Sequence, residues 1–330
     1  MLKSRQQRRL GAGGARWVRA LHRFLPVLTV AVLLGGGLAG CMKSEALPTT
    51  SARPERLRLG WSPSTEEPDR RQRYEGLCAF LSKRLGIPVV LVETGSYSTQ
   101  IEAFRARKIE AGSISPFSYV IARDRTKNIE PIVVRGEASG AQWGYRSVLL
   151  VPPDSPIRTI EDLKANASKL TLAWVDPAST SGHLIPRAFL ESIGLNPEED
   201  FKQVIFTMEH LASVMNVKSG KVDVAASMNS GLRRMIEKGR ITEHDYRIIW
   251  ESAAIISDVT AVRSDLPAEF KEELRQAYLD FPKQAPEEWA KFRALLPDPS
   301  LIWVKAVDSD FDELRRIARG VKNMQLLDAQ

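Results

Sequence analysis

The chain has 330 residues, with 47 lysines and arginines against 40 aspartates and glutamates and only two cysteines, Cys41 and Cys78. The whole basic excess lies in the first forty residues, where Lys3, Arg5, Arg8, Arg9, Arg16, Arg19 and Arg23 stand with no acidic residue. The rest is formally neutral, which removes the usual electrostatic argument for nucleic-acid binding, a basic patch on the folded domain.

The basic start is followed by an apolar stretch from Phe24 to Leu38, the layout of an export signal and too short for a confident membrane span. It ends in Leu38-Ala39-Gly40-Cys41, which resembles the bacterial lipoprotein cleavage box, so residues 1–41 are expected to be a signal with Cys41 as the lipidated N-terminus. An uncleaved anchor helix is the alternative, and Gly35-Gly36-Gly37 argues against it. Arg8-Arg9 has no apolar stretch directly after it and is set aside as a twin-arginine signal. With Cys41 acylated no internal disulfide is possible, and Cys78, on the helical pattern of Leu77, Phe80, Leu81 and Leu85, is expected to be a buried small hydrophobe. Residues 42–55 are polar and without pattern, a tether to the domain that follows.

From Arg56 short apolar strands alternate with amphipathic helices, the pattern of an α/β fold with mostly parallel sheets. Strands are expected at 56–61, 89–93, 111–114, 129–135 and 145–151, with helices at 74–85 and 98–107. A further helix should start at Ser115-Pro116, serine as N-cap and proline at the first helical position. A second series follows: strands at 170–175, 203–206, 222–226 and 247–251, helices after Ser181 and around 211–217 and 232–236. The alternation then stops, and 266–281, 286–295 and 311–321 read as a helical tail. Two series imply two lobes, with the chain returning near 254–262 to complete the first. The expected boundaries are 56–148 plus 256–330 for lobe 1 and 149–255 for lobe 2.

Enzyme motifs are missing. The four histidines form no zinc-type pair, and there is no GxSxG elbow, no GxxxxGK[ST] loop and no GxGxxG turn. What recurs is a strand running into small polar residues at a helix start: Trp61 to Thr65, Ser113 to Pro116, Asp176 to Gly182, and Ser227 to Ser230. In open α/β sheets ligands bind at the carboxyl ends of strands, so these junctions can face one crevice. A helix start leaves N–H groups unpaired at the positive end of its dipole, which suits an anion near Thr180, Ser181 and Gly182, with Gly182 allowing close approach. Each junction alone is more often an ordinary cap, and it is the four together that favour an anion-binding cleft.

Taken together the residues resemble the substrate-binding proteins of phosphonate, phosphite and phosphate ABC importers. Asp176-Pro177-Ala178-Ser179-Thr180-Ser181-Gly182-His183-Leu184-Ile185-Pro186 looks like that family's D-P-x-S-T-S-G-x-L-x-P signature. Supporting matches are 144–151, Asp154-Ser155-Pro156-Ile157 leading to Leu163, 221–225 and 262–267. The resemblance implies a type II periplasmic-binding fold, two α/β lobes closing like a hinge on the ligand. It implies that Ser179, Thr180 and Ser181 hold the oxyanion, with His210 as a further donor. Tyr97 matches a cleft tyrosine, and Asp258 an acidic residue that some members use on an amino-substituted tail. Ser115 and Ser230 complete the candidate set. Two positions depart from the family pattern: Ser230 stands where aminoalkylphosphonate binders carry a glutamate, and Ile114 where an aromatic residue often lines the pocket. An ammonium tail would lack a buried charge partner, so a smaller oxyanion such as phosphate, phosphite or methylphosphonate fits better.

The expected protein is therefore a lipid-anchored, monomeric binding protein of the cell envelope that delivers a phosphorus oxyanion to an ABC permease. It needs no catalytic step, cofactor, metal or nucleic acid. The alternative is a sensor presenting the bound anion to a membrane signalling partner.

Overall fold

The computed structural model describes residues 52–61, 70–294, 296 and 298–322. Cys41 and the junction residues Ser62 to Thr65 lie outside them. The chain first forms β1 (Leu57–Trp61), α1 (Arg70–Leu85), β2 (Val89–Glu93), α2 (Tyr97–Arg105), β3 (Ala111–Ile114), α3 (Pro116–Thr126) and β4 (Ile129–Gly136). It continues through β5 (Gly144–Tyr145), β6 (Ser147–Val151), α4 (Ile160–Asn166), β7 (Thr171–Trp174), a π-helical turn at Thr180–Leu184, α5 (Ile185–Ser192) and α6 (Pro197–Asp200). Next come β8 (Gln203–Phe206), α7 (His210–Lys218), β9 (Val224–Met228), α8 (Asn229–Glu237) and β10 (Arg247–Glu251). The chain closes with β11 (Ile255–Ile256), β12 (Val259–Arg263), α9 (Ala268–Gln284), α10 (Pro286–Arg293), β13 (Ile302–Lys305) and α11 (Asp312–Gly320).

Two sheets result. The first has the order β13-β4-β12-β3-β1-β2 and the second β10-β6-β9-β7-β8. β1 lies parallel between β2 and β3, and β7 parallel between β8 and β9, each joined by the crossover helices that parallel pairing requires. The returning strand β12 inserts antiparallel between β3 and β4, and β6 lies antiparallel to β9 and β10. A two-stranded ribbon of β5 and β11 carries both passages between the sheets.

Two expectations are corrected here. The single strand expected at 145–151 is broken at Arg146, because Tyr145 pairs in the ribbon with Ile255 while Ser147 already pairs with Met228 in the second sheet. Nothing in the run Tyr145-Arg146-Ser147-Val148 marks a change of sheet. The expected helical tail contains β13, which pairs antiparallel with β4. Its run Ile302-Trp303-Val304 is too short to show a period of its own.

Helices α1, α9 and α10 cover one face of the first sheet through Leu77, Leu81, Phe270, Tyr278, Phe281 and Trp289. Cys78 is buried there, and burial pushes its thiol up to about 12. The other face holds Phe104, Phe117, Val120 and Leu314, and this cluster takes in Ala178 and Leu184 from the second half of the chain. A fully buried leucine contributes about 1.5–3 kcal/mol over an exposed one, so Leu184 anchors the π-helical turn against the first lobe. Beside it, buried Arg187 on α5 donates from Nη1 and Nη2 to Glu198 at 2.5 and 2.8 Å, and from Nη2 to the carbonyl of Lys322 at 3.2 Å. The amide of Lys322 donates in turn to Glu191 Oε2 at 3.0 Å, so the segment after α11 is strapped onto α5. Arg53, within the segment read as a tether, donates to Glu273 at 2.6 Å and to the Leu85 carbonyl at 2.7 Å, above the ring of Phe270.

Candidate functional site

The turn after β7 is built by its own short polar side chains. Asp176 Oδ1 accepts from the amide of Ala178 at 2.8 Å, folding the chain back, while burial raises the pKa of this carboxyl. Ser179 Oγ caps the helix start by accepting from the amide of Gly182 at 3.0 Å. The first turn is wide: the Leu184 amide donates to the Ser179 carbonyl at 3.1 Å, an i to i+5 bond. A Cβ on residue 182 would lie 2.3 Å from Val175 Cγ2 and 2.9 Å from Ser179 Oγ, so only glycine fits against the strand. The structure thus gives Gly182 a packing reason, and its N–H is held within the protein. Behind the turn His183 is buried between Trp174 and Phe206, its Nδ1 2.8 Å from the Pro177 carbonyl, and burial lowers its pKa to about 4.

The opposite wall is the start of α3. Ser115 caps it, accepting from the Ser118 amide and donating to Ser118 Oγ at 2.8 Å. The Phe117 amide donates to Thr180 Oγ1 at 2.9 Å, and Ser118 Oγ donates to the Ala178 carbonyl at 2.9 Å. Two helix starts are therefore hydrogen-bonded to each other across the lobes, and Ser179, Thr180 and Ser181 are all buried there. Adjacent positive dipole ends repel one another, and an anion placed beside them relieves that repulsion.

Tyr145 was not among the residues singled out from sequence. It is buried in the ribbon, and the side chains of Thr180 and Ser181 lie near enough to its hydroxyl to favour the ionised form, against the larger opposing effect of burial. Burial, together with the nearby charge of Asp258 and the ring hydroxyl of Tyr97, raises its pKa, so the hydroxyl stays neutral. One tyrosine thus stands close to four of the expected residues. The signal available was the segment Gly144-Tyr145-Arg146-Ser147 itself, whose first half belongs to the ribbon and not to a sheet. Ser147 supports the same turn from below, Oγ donating to the Ser181 carbonyl at 2.7 Å.

The other candidates sit further round. Tyr97 opens α2 behind the capping box of Ser96 and Thr99 and is half-buried against the inner core. His210 is the first residue of α7, fully buried, its Nδ1 3.3 Å from Ser227 Oγ; burial and the charge of Arg234 lower its pKa to about 3, so it is neutral. Ser230 stands half-buried in the first turn of α8, its amide donating to Asn229 Oδ1 at 2.7 Å. Among the described residues neither His210 nor Ser230 bonds to the 179–182 turn, and no group of His, Cys, Asp and Glu is arranged to hold a metal ion.

Residues 59–310 match the family model described as the periplasmic substrate-binding protein of the phosphonate ABC transporter. The chain belongs to this family. The binding protein is 27% identical over 268 residues to the phosphate-import protein PhnD of Mycolicibacterium smegmatis, covering 79% of this chain and 82% of that one. It is 28% identical over 222 residues to the phosphonates-binding periplasmic protein of Escherichia coli, an alignment that takes in 65% of this chain and 64% of that protein's length. A crystal structure of a binding component of a phosphonate ABC transporter from Pseudomonas aeruginosa superposes with a TM-score of 0.71 at 25% identity, covering 83% of this binding protein and 89% of the other. PhnD1 of Prochlorococcus marinus, solved with methylphosphonate, shares the fold with a TM-score of 0.70 at 21% identity, covering 81% and 98%.

Proposed function

We propose that the binding protein captures a phosphorus oxyanion between its lobes and hands it to an ABC permease. The observation that carries this reading is the contact of the α3 N-terminus with the Thr180 turn, joined by the 2.9 Å bond from Phe117 to Thr180, with the buried Tyr145 hydroxyl close by. The hydroxyls of Thr180, Ser181 and Tyr145 supply an uncharged polar lining, the helix starts supply positive potential, and His210 at the head of α7 adds a neutral imidazole. Such a wall favours a compact anion, and phosphate, phosphite and methylphosphonate all suit it. The relative named for phosphate import supports keeping phosphate in this set.

The β5–β11 ribbon is the hinge: lobe 1 carries the first sheet, and lobe 2, from β6 to β10, swings about Tyr145 and Ile255. Ligand entering the open cleft is enclosed when the Phe117–Thr180 bond forms. Anchoring at Cys41 through a lipid keeps the protein near its permease. Calorimetry with phosphate, phosphite, methylphosphonate and sulfate tests the ligand reading; heat from at least one phosphorus oxyanion is expected, and silence from all three refutes it. Labelling with a radioactive fatty acid tests the anchor, since incorporation should be lost in Cys41→Ser.

A further inference from the structure

The chain enters and leaves lobe 2 at the edge where the Thr180 turn stands. β9 runs parallel to β7, so the α8 start after β9 and the Thr180 turn after β7 emerge side by side at the carboxyl ends of their strands, where open α/β sheets bind ligands. β6 is antiparallel to β9, and β10 to β6. The first residue of β6 and the last of β10, which lead from and to the ribbon, therefore lie at that same edge.

One side chain occupies this junction. The amide of Asn229 donates to the Arg146 carbonyl at 3.0 Å, and the Arg146 amide donates back at 2.9 Å, to the side-chain Oδ1 of Asn229. The same Oδ1 accepts from the amide of Ser230 at 2.7 Å, in the first turn of α8. Asn229 Nδ2 donates to Glu251 Oε1 at 3.2 Å, at the end of β10. The two crossings are also stitched to each other. Arg146 Nη1 donates to the Ser252 carbonyl at 2.7 Å, the Ser147 amide to Ser252 Oγ at 3.0 Å, and the Ser252 amide to the Ser147 carbonyl at 2.9 Å.

The Arg146 N–H belongs to the peptide that joins Tyr145 in the ribbon to lobe 2, the last donor before the second sheet begins. Rotation about the ribbon turns that peptide, and a hydrogen bond weakens steeply once its angle falls below about 120°. The bond thus follows the hinge setting, and its acceptor is the atom that also orients the Ser230 amide. We propose that Asn229 is a positioning residue that holds the hinge closed and, through the same oxygen, sets the α8 start at the ligand edge, a role that rests on the reading of the cleft as a phosphorus-oxyanion site with the ribbon as its hinge.

Stopped-flow tryptophan fluorescence measures release of the tightest binder among phosphate, phosphite and methylphosphonate, and urea unfolding measures stability. Asn229→Ser keeps a short oxygen for the helix start and gives up the reach to Arg146. Its release should be about fivefold faster, the ratio for one neutral hydrogen bond, with association within about twofold of the parent and little change in urea. Arg146 is exposed, so Arg146→Met keeps the fold; by loosening the two crossings it should speed release about threefold, and it decides the matter where Asn229→Ser does not fold. Release within about twofold of the parent, whatever happens to urea stability, would make Asn229 a helix-start residue only; that overturns the inference and leaves the oxyanion reading standing. A parent protein that binds none of the three anions overturns both.

Discussion

Thr180→Val removes the acceptor of the bond that joins the two lobes. Valine keeps the shape of threonine and removes only the hydroxyl, so packing against Phe117 and Leu184 is preserved while the Phe117 amide loses its acceptor. Phe117 is fully buried, and a buried N–H left without a partner costs about 1–3 kcal/mol. The bond spans the lobes, so the cost falls on the closed form and not on the fold of either lobe. Ligand affinity should drop by roughly 5- to 150-fold, the same range expressed as a ratio. Closure provides a second readout: small-angle scattering at saturating phosphate should show a larger radius of gyration for Thr180→Val than for the parent. Thr180→Ser, which retains the oxygen, should recover most of the affinity. A Thr180→Val protein that binds within twofold of the parent would refute the reasoning, because it would mean that the Phe117–Thr180 bond does not contribute to closure on the ligand.

Other perturbations reach different parts of the same assembly. Gly182→Ala forces a Cβ to within 2.3 Å of Val175 and should lower stability in urea by about 1–3 kcal/mol, the usual cost of overpacking, while weakening ligand binding. His183 and His210 are held neutral by burial, with pKa values lowered to about 4 and about 3, below the ordinary 6.5 they regain on unfolding. Between those limits the unfolded chain binds more protons, so their contribution is complete above pH 6.5 and is lost as pH falls towards 4 for His183 and 3 for His210. Urea midpoints measured across this window should fall less steeply in His210→Gln than in the parent; equal slopes would exclude His210 as a source. Arg187→Met leaves Glu191 with the Lys322 amide alone and removes one of the two bonds of the Lys322 strap, but Glu198 is half-exposed and can rehydrate, so the loss in urea should stay below the ~3–5 kcal/mol of a fully buried pair.

Much of this was legible locally. A Ser-Pro after a short apolar run specifies a capped helix whatever surrounds it, and α3 begins at Pro116 with Ser115 as its cap. The same holds for Asp176 to Gly182, where Asp176 and Ser179 bond within six residues of themselves. The width of that turn was not legible, because a π-helical start depends on how Gly182 settles against Val175. Nor was β13, whose short apolar run becomes a strand only because β4 offers it an edge.

The sequence by itself determined the order of strands and capped helices and the hydroxyl-rich turn that carries the family signature, since caps, turns and periodicity are set by neighbours along the chain. Tertiary structure alone decided that the α3 start faces Thr180, that Tyr145 lies close by, and that Asn229 meets both chain crossings. Those residues are far apart in sequence, and their meeting depends on where β6 lies between β9 and β10 and on how the β5–β11 ribbon sets one lobe against the other.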